Sequence, residues 1–134
     1  MTVIDAPSLG TTTFAPVTTG WTKACRLDRL TPGRGVAVLL TGGRQAALFL
    51  LPDGTLYAVG NIDPFGRAAV MSRGIVGDRA GTPVVASPLL KQAFSLEDGH
   101  CLDDDSMALP VYGVRVSAGI VMVSNDPLYV GGCA

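Results

Sequence analysis

Apolar positions along this chain fall in short runs broken by glycine and proline. Trp21 to Leu27 alternates imperfectly and predicts a first strand, Val36 to Leu40 a second and Gln45 to Leu51 a third. Thr31-Pro32-Gly33 and Gly42-Gly43 are turn chemistry, because proline presets φ and glycine tolerates a positive one. Pro52-Asp53-Gly54 reverses the chain into Leu56 to Val59, which makes a hairpin. From Gly60 to Gly81 no period is sustained, and an irregular stretch of that length in a compact domain points to function. Pro83 to Ala86 is a brief strand that stops at Ser87-Pro88. Gln92 to Leu96 follows, then a Glu97-Asp98-Gly99 turn and an acidic loop from Cys101 to Pro110. Val111 to Val116 and Ile120 to Val123 form a last hairpin across Ser117-Ala118-Gly119. Val114 and Val116 share one face there, as do Ile120 and Met122. Helical periodicity is almost absent. The expected fold is all-β, an antiparallel sandwich or barrel of short strands. It should span 21–124, after a flexible Thr/Ser/Gly/Pro-rich lead-in over 1–20 and before a tail over 125–134.

A chain of 134 residues suits one domain with its own core. The net charge of −1 supplies no bulk field for nucleic acid or an anionic membrane. No apolar run approaches the roughly 20 residues of a membrane helix. Residues 1–20 lack a basic n-region and a continuous apolar stretch, so no secretory signal is expected and the location should be cytoplasmic. Cys25, Cys101 and Cys133 are odd in number and widely spaced, the pattern of reduced thiols. His100 is the sole histidine; a metal site needs about four ligands at sensible spacing, so it reads as a turn residue. Asp103 to Asp105 lacks the spacing of a calcium loop and reads as a solvated turn. Charged residues are only 16%, which fits either a strand-rich core or a partner-covered surface. No phosphate-binding glycine motif and no nucleophile–base pair is present.

Two stretches remain: Asn61-Ile62-Asp63-Pro64-Phe65, and Ser87-Pro88-Leu89-Leu90-Lys91-Gln92-Ala93-Phe94. They resemble the cluster-binding loops of Rieske domains, which carry C-x-H in one loop and C-P-x-H-G-x-x-F in the next. Pro88 and Phe94 match the second motif. Asn61 and Ser87 stand where the resemblance calls for cysteines, and Asp63 and Leu90 where it calls for histidines. A Rieske [2Fe–2S] centre takes two thiolates on one iron and two imidazoles on the other. Asn and Ser are poor soft ligands, Leu90 is no ligand, and Asp63 alone would hold a cation weakly. No cluster, no metal and no catalytic group is therefore expected in this chain.

With Ser72-Arg73-Gly74-Ile75-Val76-Gly77, these stretches resemble more narrowly the small subunit of the cytoplasmic NAD(P)H-dependent nitrite reductase, over about Trp21 to Val123. The resemblance implies a Rieske-like fold without the cluster. It also implies a large-subunit partner that carries siroheme, a [4Fe–4S] cluster and FAD and reduces nitrite to ammonium. On this reading the loops are a docking surface. Asn61 and Asp63 accept backbone hydrogen bonds, Pro64 and Pro88 stiffen the loops, and Leu90 packs where an imidazole would stand. Phe65, at a loop tip, with Arg67, Arg73 and Lys91, would touch the partner. The competing readings are a Rieske-type electron-carrier ferredoxin, a free-standing binding or regulatory module, and a subunit of a ring-hydroxylating oxygenase.

Overall fold

The computed structural model describes residues 20–130. Nine strands are present in this span: β1 (Trp21–Arg26), β2 (Gly35–Leu39), β3 (Gln45–Leu50), β4 (Leu56–Gly60), β5 (Ile75–Arg79), β6 (Thr82–Ala86), β7 (Ala93–Ser95), β8 (Pro110–Ser117) and β9 (Ile120–Val130). Single 3₁₀ turns cover Leu27–Arg29 and Met71–Arg73. Six strands form one antiparallel sheet in the order β1-β9-β8-β4-β3-β2, and β5-β6-β7 form a second. The all-β expectation holds, with strand bounds close to those read from the apolar runs.

Strand β3 explains how the layers stack. Ala46, Ala47, Leu48 and Phe49 are all wholly buried, so both faces of this strand are covered. Ala47 and Phe49 join Val59 and Val111 of the large sheet against Val85 and Phe94 of the small one. Ala46 and Leu48, on the opposite face, meet Val38 of β2 and Val121 and Val123 of β9. Strands near opposite edges of the large sheet thus share one cluster, which means the sheet curls upon itself. A strand buried on two sides carries a continuous apolar run instead of an alternating one, as Ala46–Phe49 does.

Two features depart from the expected elements. The segment 60–81 is not irregular throughout, since β5 pairs with β6 from Ile75↔Ala86 to Arg79↔Thr82. The domain also does not close at residue 124. Strand β9 continues to Val130, with Val111↔Tyr129 and Pro110↔Val130 paired, past register slips on β8. Asn125, buried at the bend of this strand, accepts from the Thr22 hydroxyl and, at 3.0 Å, from the Thr41 N–H. Asn125-Asp126-Pro127 has the chemistry of a turn, and a bulged strand uses the same residues. Residues 1–19 and 131–134, which include Cys133, lie outside the described residues.

Candidate functional site

The two loops leave the ends of β4 and β6 and meet. Asn61, wholly enclosed at the end of β4, uses every polar group it has. Its amide N–H donates to the Gln45 carbonyl at 3.0 Å, and its carbonyl accepts from Met71 N–H at 3.0 Å. The side-chain Nδ2 donates to Gln45 Oε1 at 3.1 Å, and Oδ1 accepts from Ser72 N–H at 2.8 Å. The carboxamide therefore ties β3 to the 3₁₀ turn.

Asp63 and Ser87 open matching turns. Asp63 Oδ1 accepts from Phe65 N–H at 2.8 Å, two residues on, and Ser87 Oγ accepts from Leu89 N–H at 3.2 Å, also two residues on. The Asp63 carbonyl accepts from Arg67 N–H at 2.7 Å, and the Ser87 carbonyl from Lys91 N–H at 3.0 Å, each four residues on. Proline follows the opening residue in both turns, as Pro64 and Pro88. Arg67 and Lys91 close them at φ of 57° and 65°. The Ser87 hydroxyl donates to Asp63 Oδ2 across the gap, and the turns are bolted together. Gly66 lies so close to Leu89 that a Cβ there would stand 2.5 Å from Leu89 Cδ1.

This interior does not fit an iron–sulfur cluster. Such a centre takes two thiolates and two imidazoles. Three of the four corresponding positions, Asn61, Asp63 and Ser87, are buried, and their side-chain oxygens are committed to hydrogen bonds. The fourth, Leu90, is 57% exposed. The expectation that Leu90 packs in place of an imidazole is thus corrected: it points out of the turn. Among the described residues no three of His, Cys, Asp and Glu stand together in a metal-holding group. Cys101 is buried in the core, where desolvation raises its thiol pKa, and His100 pairs with Asp98 at 2.5 Å on the surface.

The outward side is apolar and basic. Ile62, Leu89 and Leu90 are 45%, 46% and 57% exposed. Arg67 and Lys91 are exposed beside them, and neither forms an ion pair among the described residues. Phe65 differs from the expected tip anchor. It is half-buried against the core, its ring 6.1 Å from that of Phe94. Arg73 stands apart in role, exposed at the end of the 3₁₀ turn beside Gly33–Gly35. Sequence reasoning missed Gln45, the side-chain partner of Asn61, and it missed Ile62 and Leu89 as surface residues. The available signal was Pro88-Leu89-Leu90, two leucines inside a turn where folding asks for none.

The profile of the family described as the Rieske-like [2Fe-2S] domain matches residues 20–124. The nitrite reductase (NADH) small subunit of Salmonella typhimurium is 41% identical over 104 residues, which covers 77% of this chain and 95% of that one. A crystal structure from Mycobacterium tuberculosis, described as an NADH-dependent nitrite reductase small subunit, superimposes with a TM-score of 0.79 at 57% identity. It covers 84% of this chain and 100% of that one. The nitrite reductase [NAD(P)H] large subunit of Klebsiella oxytoca is 41% identical over 108 residues, 81% of this chain but 11% of that one.

Proposed function

Because the chain belongs to the Rieske-like [2Fe-2S] domain family, among the small subunits of nitrite reductase, we propose that it serves NAD(P)H-dependent nitrite reduction by docking on the large subunit through the Asp63 and Ser87 turns. The observation that carries this reading is the division of labour within the loops. Their polar interior is closed upon itself, and their apolar and cationic groups face outward. Exposed leucines flanked by guanidinium and ammonium groups make an interface with an apolar centre and a charged rim. The Klebsiella oxytoca large subunit, which carries a stretch like this chain within one polypeptide, supports the partnership.

In this assignment the small subunit contributes no reacting group. Electrons pass from NAD(P)H to nitrite on cofactors held by the large subunit, which the family resemblance gives as FAD, a [4Fe–4S] cluster and siroheme. The complex acts in the cytoplasm, where the free thiols Cys25 and Cys101 stay reduced. The contacts are Ile62, Leu89 and Leu90, with Arg67 and Lys91 at the rim. Phe65 acts from beneath, as a support for its turn.

The test is co-purification of the large subunit with a Leu89→Asp/Leu90→Asp variant. Both side chains are exposed, and loss of the large subunit from the purified complex is expected, with Leu90→Asp alone as the variant that leaves the Leu89 contact on Gly66 in place. Unchanged association removes the docking surface from these loops. Iron and acid-labile sulfide measured on the isolated chain check the reading of the interior: stoichiometric amounts would replace it with an electron carrier.

A further inference from the structure

We infer that the cleft between the Gly33–Gly35 and Ser72–Gly74 turns is a binding site for a phosphate-bearing anion. Its volume is about 300 Å³, and it is lined by Gly33, Arg34, Gly35, Ser72, Arg73 and Gly74. That is the lower end of the range for small-molecule sites, and larger than one carboxylate requires. One arginine comes from each wall, no acidic residue lines the cleft, and neither guanidinium forms an ion pair among the described residues. Arginine's planar fork matches oxyanions bidentately. Two forks, with Ser72 also in the lining, offer a set of donors to an oxyanion.

The walls are held, and no side chain fills the space. The amides of Gly33, Arg34, Arg73 and Gly74 all donate to internal carbonyls, and that of Ser72 donates to Asn61 Oδ1. Recognition therefore falls to the side chains. A Cβ on Gly35 would lie 2.3 Å from the Ser72 carbonyl oxygen, and one on Gly74 would lie 2.6 Å from that of Ala86. A larger residue at 35 would press on the Ser72 turn, and one at 74 would press that turn away from β6 at Ala86. Asn61, at a former cluster-ligand position, becomes a positioning residue: its carboxamide holds the turn that presents Arg73.

This inference goes beyond docking, and it is tested on the isolated full chain without the large subunit. Inorganic phosphate and pyrophosphate are titrated at constant ionic strength, and the backbone amide resonances are followed by ¹H–¹⁵N NMR. Saturable shifts are expected at Gly33, Gly35 and Gly74. They should weaken about tenfold or more in Arg34→Ala or Arg73→Ala and vanish in the double variant, and Arg29→Ala should bind as the parent does. NADH and NADPH form the second arm: displacement of pyrophosphate by either identifies a dinucleotide as the source of the phosphate, and binding of the inorganic anions alone identifies a free one. Linear shifts without saturation, equal shifts in the double variant, or acetate binding as tightly as phosphate would each overturn the assignment.

Discussion

The Ser87 hydroxyl is the one side-chain donor that reaches Asp63 from the other loop, and the carboxylate it meets has no access to water. Removing a partner from a buried charged acceptor leaves that acceptor short of the hydrogen bond that justified its burial. Ser87→Ala should therefore destabilise the domain by ~1–3 kcal/mol, read as a lower urea midpoint at neutral pH. Asp63→Asn should lose less, because an amide oxygen still accepts from Phe65 and Gly66 while the hydroxyl turns to accept. A second expectation concerns Cys101, whose thiol is enclosed in the core and has its pKa raised by desolvation. Iodoacetamide at neutral pH should leave it unmodified in the folded protein and label it after denaturation, as peptide mass spectrometry would read. The backbone-binding role of Asp63 was legible in the sequence, since Asp before Pro favours accepting from the amide two residues on. The outward turn of Leu90 was not. Motif alignment assigns a position its counterpart in the family, but without an imidazole on iron nothing draws that side chain inward.

Among the elements, the strands written as apolar runs announced themselves, and β5, which has no such run, stayed hidden. Strand β5 exposes Ile75, Gly77, Asp78 and Arg79 and turns only Val76 to the core, so it has no alternation to detect. The acidic loop after β7 likewise proved more than a solvated turn. Asp103 accepts from Ala93 N–H at 2.9 Å and from Arg79 at 2.8 Å, which joins the loop to β7 and β5. The Ala93 hydrogen bond first, and then Arg79, hold its carboxyl below the ordinary range. A carboxylate with a lowered folded-state pKa contributes stability that is complete above its unfolded value, near pH 4, and lost as pH falls through the folded one. Asp53, Asp98 and Asp104 are lowered too and act with the same sign; at Asp98 burial pushes upward and the His100 hydrogen bonds outweigh it. Taking the urea midpoint at about pH 5 and again at about pH 3, the drop should be smaller in Asp103→Asn than in the parent. An identical drop would mean that the loop contributes nothing to acid sensitivity.

At the scale of the molecule, a net charge of −1 coexists with a cationic rim at the loop tips. The two cations and the three apolar side chains of that surface should affect different steps of assembly with the large subunit. Charges act over about 8–10 Å at physiological salt and set the encounter rate. Apolar contacts exist only after contact is made and set the lifetime. Arg67→Glu/Lys91→Glu should therefore slow association by about tenfold or more at low ionic strength and leave dissociation nearly unchanged. The parent's association rate should fall with added salt toward that of the variant. Leu89→Asp/Leu90→Asp should do the reverse, speeding dissociation with a smaller effect on association. Surface plasmon resonance on immobilised large subunit separates the two rates. Equal changes in both rates for both variants would mean that charge and leucine act as one patch, and the rim would have no steering role. Arg67, Lys91 and Leu90 face outward, while Leu89 also packs on Gly66 of the facing turn, so an unchanged urea midpoint in each variant separates its effect on assembly from one on folding. The sequence resemblance pointed to these loops. Which of their residues face outward was set by the Ser87–Asp63 bond, a contact between positions 24 apart that no local pattern encodes.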